Sequence, residues 1–211
     1  MSLAVVYSRA SLGTSAPLVT VEVHLSNGLP SFSIVGLAET AVKESRDRVR
    51  SALKNSGFDF PTRRITVGLA PADLPKRGGR FDLPIALGIL VAAGQLSLEA
   101  LQDIEFLAEL GLGGELRPID TILSAAVAAT TMGHAIALAP DDVVEASRVR
   151  TARLLPAVNL SALVDHLTGV KPLNWTFEHP VFREAAESDL SGIKGQAVGL
   201  RGLEVAAAGG H

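Results

Sequence analysis

Three cations and two glycines stand together in the run Lys76-Arg77-Gly78-Gly79-Arg80. Glycine lets backbone N–H groups approach a phosphate closely, and lysine and arginine neutralise its charge. The run therefore suits contact with a nucleic-acid backbone that does not depend on base sequence. Asp73 and Asp82 flank the run and could instead fix its shape through salt bridges to the arginines. The residues leave both interpretations open.

The run ends a longer basic segment, residues 43–80, which carries ten basic and four acidic residues, a local balance of +6. The whole chain has a net charge of −3, so the remainder carries −9. A concentration of positive charge in an acidic chain favours contact with a polyanion. The predicted DNA-binding residues are Lys76, Arg77 and Arg80, with Lys43, Arg46, Arg50, Arg63 and Arg64 as a flanking surface.

Part of this segment has the apolar period of a helix, which places Val42, Val49 and Leu53 on one side and most of the cations on the other. An ordinary solvated helix face has the same pattern. Nearby aromatic residues allow base stacking at only one or two places, so phosphate contact is expected to dominate. These aromatic residues are Phe58, Phe60 and Phe81.

Other site chemistry is not indicated. The chain has no cysteine, which excludes disulfides, thiolate nucleophiles and zinc sites that need sulfur. Its five histidines are scattered without an i, i+4 pair, and Asp141 and Asp142 are interpreted as helix caps, so no metal site is predicted. No apolar run approaches the roughly 18 residues that a membrane span requires, and no leader pattern opens the chain. We expect a soluble, cytoplasmic protein without a membrane partner.

The elements that must position these residues alternate between strand and helix patterns, which predicts an α+β fold with a mixed sheet and packed helices. Ser26-Asn27-Gly28 predicts a hairpin between the second and third strands. Asp82 is predicted to cap a helix that is apolar all round and therefore buried. Residues 1–93 are predicted to contain strands at 3–7, 18–25, 30–35 and 64–69 and helices at 38–56 and 82–93.

The remaining elements complete one domain, residues 1–170, followed by a proline-containing, charged linker at 171–188. Residues 189–211 form a separate tract. They read Asp-Leu-Ser-Gly-Ile-Lys-Gly-Gln and then continue as an alanine- and glycine-rich helix pattern that ends in Ala-Ala-Ala-Gly-Gly-His.

This tract resembles the entry to an AAA+ ATPase module. The resemblance implies that Ile193, Lys194, Gly195 and Gln196 line the adenine side of a nucleotide pocket in a longer protein that uses ATP and Mg²⁺. The phosphate-binding pattern G-x-x-x-x-G-K-[ST] does not occur in the sequence. We therefore expect a truncated ATPase start, an incomplete nucleotide site, and no enzyme activity or cofactor in this chain.

The first 170 residues are similar to the YifB/ComM family of Mg-chelatase-like AAA+ ATPases. The similarity rests on Pro30-Ser-Phe-Ser-Ile-Val-Gly-Leu-Ala-Glu39, Glu44-Ser-Arg-Asp-Arg-Val-Arg50, Leu69 through Pro84, and Gly111-Leu-Gly-Gly-Glu-Leu-Arg-Pro118. It implies a ribosomal protein S5 domain 2-like fold, which the Lon protease domain shares. It also implies a hexameric DNA motor that acts as a branch-migration helicase in natural transformation.

Within that motor, this domain is expected to engage single-stranded or branched DNA and to support assembly with its own ATPase module and neighbouring protomers. The alternative is an oligomerisation or protein-docking domain whose arginines pair with acidic residues of a neighbour. A Lon-like serine protease is a third possibility, but no serine stands in the stretch 75–84 that matches the nucleophile loop. The activating lysine position falls on Leu123, which cannot serve as a base.

Overall fold

A computed structural model describes residues 2–36, 39–176 and 193–209, apart from the side chains of Ser2, Thr40, Ala41 and Lys43. The chain divides into two compact units, Met1–His179 and Pro180–His211. The strands are β1 (Ser2–Arg9), β2 (Leu18–Ser26), β3 (Ser31–Val35), β4 (Arg64–Ala70), β5 (Ile104–Leu107), β6 (Glu109–Leu110), β7 (Leu116–Arg117), β8 (Ala135–Leu138) and β9 (Leu154–Pro156). The helices are α1 (Thr40–Asn55), α2 (Asp82–Ala92), α3 (Ile122–Thr131), α4 (Val143–Ala146), α5 (Leu160–Leu167) and α6 (Ala197–Gly209).

Seven strands form one sheet in the order β3-β4-β2-β1-β5-β8-β9, and β6 and β7 form a short separate ribbon. The β1–β2 and β2–β4 pairs are antiparallel, whereas the other pairs of the main sheet are parallel. This mixed sheet with packed helices confirms the predicted α+β class and is consistent with a ribosomal protein S5 domain 2-like fold.

The predicted hairpin between β2 and β3 is wrong, because β4 lies between these two strands. β2 pairs with β4 in antiparallel register, and β3 pairs with β4 in parallel. Ile65, Val67 and Leu69 of β4 are fully buried, whereas Phe32 and Ile34 of β3 are only partly buried. The more apolar strand therefore takes the inner position, and β3 becomes the edge of the sheet.

The core lies between the sheet and helices α1 and α2. As predicted, α2 is buried on nearly all sides, and Val42, Val49 and Leu53 of α1 are fully buried. A Cβ atom at Gly88 would lie 2.5 Å from Cγ2 of Val23, so glycine is required for α2 to approach β2 this closely. A second apolar cluster beneath α3 and α4 covers β8, which buries the parallel half of the sheet.

Asp82 does not cap α2 as predicted. It is the first residue of the helix, and its buried carboxylate turns towards α1, where Nε of Arg48 donates a hydrogen bond to Oδ2 at 2.6 Å. The backbone N–H of Leu110 donates to the same oxygen at 3.2 Å. Burial raises the pKa of Asp82, and the hydrogen bond from Arg48 opposes that rise. This ion pair joins α1 to the start of α2.

The end of the first unit extends into the segment predicted as a linker. Leu173 and Trp175 pack on the main core, and the backbone N–H of Thr176 donates to the carbonyl of Leu154 at 2.9 Å. Residues 177–188 of that segment lie outside the described residues, as do 189–192 and 210–211 of the predicted ATPase tract. Within the described ranges, none of the helices is both long and apolar enough to cross a bilayer.

Candidate nucleic-acid interface

The basic segment supplies cations near both ends of helix α1, and these form two separate regions. Its 16 residues span about 24 Å. Arg77 forms an ion pair with Glu39, which immediately precedes α1, whereas Arg50 and Lys54 lie in the last two turns. We call the first region, residues 71–81, the glycine loop. The second region is the α1 cleft, which is formed by Phe32, Phe60, Arg50, Lys54 and Arg63.

Lys76 of the glycine loop, predicted to contact DNA, is fully buried in this conformation. Its Nζ donates a hydrogen bond to the carbonyl of Pro71, and its own carbonyl accepts one from the backbone N–H of Glu39 at 3.2 Å. Burial lowers the pKa of Lys76, and the nearby charge of Asp73 opposes that effect. The lysine therefore holds the loop together from the inside and presents no charge to solvent.

Arg80, also predicted to contact DNA, is buried as well in this conformation, with 5% of its surface exposed. Its Nη2 donates to the carbonyl of Asp120 at 2.7 Å and to Oγ1 of Thr121 at 3.3 Å. Thr121 has a left-handed backbone, with φ of 62°, just before α3. Burial lowers the pKa of Arg80, while Asp120 and Asp142 oppose that change. The guanidinium thus fixes the turn between β7 and α3.

Arg77 is the exposed cation of this loop, with 69% of its side chain accessible. Its Nε lies 2.9 Å from Oε1 of Glu39, which is 47% exposed. A surface pair of this kind contributes at most about 1 kcal/mol, so Arg77 can exchange its partner. Asp82 does not bridge to the loop arginines, since its partner is Arg48.

The glycines of the loop serve the protein's own packing. A Cβ atom at Gly79 would lie 2.4 Å from Oε2 of Glu109, and Gly78 has a positive φ of 69°. The space that we expected a phosphate to use beside Gly79 is therefore occupied by a carboxylate. The glycine loop offers one exposed cation, not the predicted cluster of three.

The α1 cleft combines aromatic rings with cations. Phe32 comes from the edge strand β3, and Phe60 comes from the loop between α1 and β4. Their ring centroids are 6.1 Å apart, and the Cζ of Arg50 lies 5.1 Å from the centroid of Phe60. Lys54 and Arg63 complete the rim of a cavity of about 130 Å³. The parallel pairing of β3 with β4 brings these distant parts of the chain together.

The charge of the cleft is not neutralised locally. Across the described parts of the chain, Arg50, Lys54 and Arg63 form no ion pair with a carboxylate. Nη2 of Arg63 donates to the neutral amide oxygen of Asn27 at 2.8 Å. The nearby Asp59 uses its backbone N–H and carbonyl to bind the side chain of Gln95. Three cations therefore surround an aromatic cavity that is open to an anionic ligand.

The other predicted cations are dispersed. Arg46 is exposed on α1, and Lys43 lies on the same helix with a side chain outside the described residues. Arg64 is exposed at the start of β4. Because side chains alternate along a strand, it faces away from α1, opposite to its buried neighbour Ile65. Phe81, predicted as a possible stacking residue, is fully buried.

The predicted nucleotide-adjacent residues belong to the second unit. Ile193, Lys194, Gly195 and Gln196 are all exposed. The carbonyl of Gln196 accepts a hydrogen bond from the backbone N–H of Leu200 at 2.9 Å, which begins α6. Their part in nucleotide binding remains a prediction about a longer protein.

The two stretches matched to the Lon active site bound a polar cleft of about 270 Å³. The residues that line it provide neither a hydroxyl nucleophile nor a lysine base. They are Gly78, Gly79, Arg80, Glu109, Pro118, Ile119 and Asp120. In the described ranges, no group of three His, Asp or Glu side chains could hold a metal ion.

A buried charged cluster around Glu105 of β5 was not predicted from the sequence. Nε and Nη2 of Arg9 each donate to the carboxylate of Glu105 at 2.6 Å, and Nδ1 of His134 lies 2.9 Å from the same carboxylate. His134 also stacks on Tyr7, with the ring centroids 6.1 Å apart. The signal was a single acid in the apolar run Ile104–Leu107, since a buried carboxylate requires a partner.

Asp142 does not cap its own helix as predicted. Instead, its carboxylate accepts a hydrogen bond from the backbone N–H of Ile119 at 3.2 Å. Burial raises its pKa to about 6; the charges of Glu145 and Asp141 add to the rise, whereas Ile119 and Arg80 oppose it. Asp142 and Arg80 therefore hold the same turn before α3 from two sides.

Comparison with known proteins places the chain in a family. A family model described as subunit ChlI of Mg-chelatase matches residues 21–143. The chain is 47% identical over 211 residues to the uncharacterized protein YifB of Escherichia coli K12 and 50% identical over 218 residues to the competence protein ComM of Haemophilus influenzae. Each alignment covers 100% of this chain and 42% of the relative, so the chain spans less than half the length of these relatives. This chain belongs to the Mg-chelatase ChlI-like family, in its YifB/ComM group.

Proposed function

We propose that this chain is the DNA-engaging and assembly-supporting N-terminal domain of a hexameric AAA+ DNA motor. The motor would act in the cytoplasm as a branch-migration helicase in natural transformation. The proposal is supported by 50% identity to a protein named for competence. ATP, Mg²⁺ and hydrolysis would belong to the part of the protein beyond this chain, so the domain acts by binding and not by catalysis.

The observation that carries the proposal is the α1 cleft. Arg50, Lys54 and Arg63 lack carboxylate partners among the described residues and surround Phe32 and Phe60. Cations that track a phosphate backbone, combined with aromatic rings that accept bases, are the general means by which proteins bind single strands. The proposed DNA contact is therefore the α1 cleft, at the opposite end of α1 from Lys76 and Arg80.

A second candidate function is protein docking or oligomerisation without DNA contact. It is favoured by the exposed pair of Arg77 and Glu39, which can open at little cost and re-form with a neighbouring protomer. The acidic remainder of the chain offers many carboxylates for such an exchange. In this function, the glycine loop would contact the neighbouring protomer and the α1 cleft would bind no DNA.

Fluorescence anisotropy with labelled single-stranded and forked DNA, titrated across salt, tests the first function. The cleft variant replaces Arg50, Lys54 and Arg63 with alanine. We expect its affinity at low salt to fall by roughly tenfold or more, and the slope of log K against log salt to shrink by about 2, since each lost single-strand phosphate contact removes about 0.7. Arg64→Ala is the matched control, because it removes an exposed cation outside the cleft.

Absence of salt-dependent binding by the unmodified protein, even at low salt, would contradict DNA engagement. The docking function would then be tested by sedimentation of the full-length protein carrying Arg77→Glu. Loss of assembly in that variant, with DNA binding absent throughout, would favour docking as the role of this domain.

A further inference from the structure

The size of the α1 cleft limits what it can hold. Its volume is about 130 Å³, close to that of a cavity of about 150 Å³ known to hold one benzene molecule. A single six-membered ring therefore fits, whereas a stacked base pair does not. The cleft also opens between an edge strand and a loop, where a ligand can enter from solvent.

The walls of the cleft suit a nucleobase. Phe60 and Phe32 are partly buried and held by the main core, so their rings are positioned before a ligand arrives. Arg50 lies over Phe60 and adds a planar guanidinium surface. Bases that are not stacked on their neighbours bind to aromatic rings and to guanidinium planes alike. One base can therefore contact a ring and a cation at once.

The rim of the cleft suits the phosphates beside that base. Lys54 lies in the last turn of α1, and Arg63 lies on the segment that leads into β4, so the two cations approach the cavity from different elements. A strand with one base inserted between them would place a phosphate on each side of that base within reach of a cation. The same residues that attract DNA would then fix its path.

Resting on the proposed DNA engagement, we infer that the α1 cleft binds one unstacked base of a single strand against Phe32, Phe60 and Arg50, with Lys54 and Arg63 on its flanking phosphates. A duplex lacks this option because its bases are stacked and paired, and removing one costs free energy. The domain therefore selects single-stranded over double-stranded DNA through stacking and not through charge alone.

The test compares three ligands in anisotropy experiments at one salt concentration: an oligothymidine, a strand of the same length made of abasic sites, and a matched duplex. The abasic strand keeps every phosphate and loses every base. We expect oligothymidine to bind roughly tenfold more tightly than the abasic strand, which is the contribution of one stacked base. Oligothymidine should also bind more tightly than the duplex, because the bases of the duplex are stacked and paired.

Phe60→Leu keeps an apolar side chain and removes the ring. In this variant, oligothymidine should bind no more tightly than the abasic strand, while affinity for the abasic strand stays unchanged. Phe58→Leu is the matched control, since Phe58 packs on the same core but does not line the cleft. Circular dichroism melts check that each variant folds. If Phe60→Leu unfolds, the comparison uses two other variants: Phe32→Leu, which removes a ring of the cleft, and Phe60→Tyr, which keeps one.

Equal affinity of the unmodified protein for oligothymidine and the abasic strand would overturn the stacking inference but leave charge-driven DNA engagement intact. A loss of affinity in Phe60→Leu that is the same for both strands would also overturn it, because a structural effect alone would explain that result. Absence of salt-dependent binding to any of the ligands would remove both this inference and the proposed function.

Discussion

The glycine loop and the α1 cleft both contribute cations to one basic stretch of sequence, yet they use them in different ways. In the loop, Lys76 and Arg80 bind backbone carbonyls inside the protein. In the cleft, Arg50 and Lys54 extend from a regular helix whose carbonyls are already occupied by its own hydrogen bonds. Irregular backbone leaves carbonyls unpaired, and Lys76 and Arg80 bind those of Pro71 and Asp120. For these four side chains, the presence of an unpaired carbonyl within reach decides whether the cation remains available to a ligand.

The largest expected effect comes from Arg80→Ala. It removes the donor to the Asp120 carbonyl and to Thr121, so we expect a loss of about 2–4 kcal/mol in the free energy of unfolding. Affinity of the folded protein for DNA should not change, because the loop is structural. Urea denaturation measures the first quantity and anisotropy the second, with Arg64→Ala as the exposed control. A fall in DNA affinity without loss of stability would break the contrast between the two regions.

An intermediate effect is expected from pH. Because burial raises the pKa of Asp142 from 3.8 to about 6, the folded protein retains a proton that the unfolded chain releases between those values. Stability should therefore fall as pH rises from about 4 to about 6, by an amount on the order of 1–3 kcal/mol. The Asp142→Asn variant should lose most of this dependence.

Urea denaturation at a series of pH values measures that difference between the protein and the variant. Burial also raises the pKa of Asp82, which adds a dependence of the same sign that Asp142→Asn retains. An unchanged pH profile in Asp142→Asn would show that the titration of Asp142 does not cause this dependence.

The smallest effect is expected from Arg77→Ala. Its pair with Glu39 is exposed, so the free energy of unfolding should change by no more than about 0.5 kcal/mol. If Arg77 touches no DNA, the salt slope of binding also stays the same, whereas one lost phosphate contact would reduce it by about 0.7. A reduced slope would indicate that DNA runs from the α1 cleft along α1 to the glycine loop, which would weaken the contrast between the two regions.

Local patterns predicted the elements well. The buried face of α1 and the burial of α2 on nearly all sides follow from apolar spacing alone. Strand order did not follow, because Ser26-Asn27-Gly28 is compatible with a turn but says nothing about which strand lies beside β2. That choice depends on how deeply β4 is buried relative to β3, which is a property of the whole sheet.

The sequence predicted which charged residues belong to the candidate site but not how they are arranged in space. Arg50 and Arg63 were named, but their meeting with Phe32 depends on the parallel pairing of β3 and β4. The burial of Lys76 could not be foreseen, since lysine is rarely buried and the carbonyl of Pro71 that receives it is a property of the loop backbone.

The ion pair between Arg48 and Asp82 has a mechanical consequence. Arg48 stands two positions before Arg50 on the same helix, and Asp82 begins the helix that is most deeply embedded in the core. If a motor pulled on a DNA strand bound at Arg50 and Lys54, the force would act on α1 close to this ion pair. Under the proposed function, the force would pass from α1 through this ion pair into α2 and the sheet, and the domain would serve as a rigid anchor for the DNA.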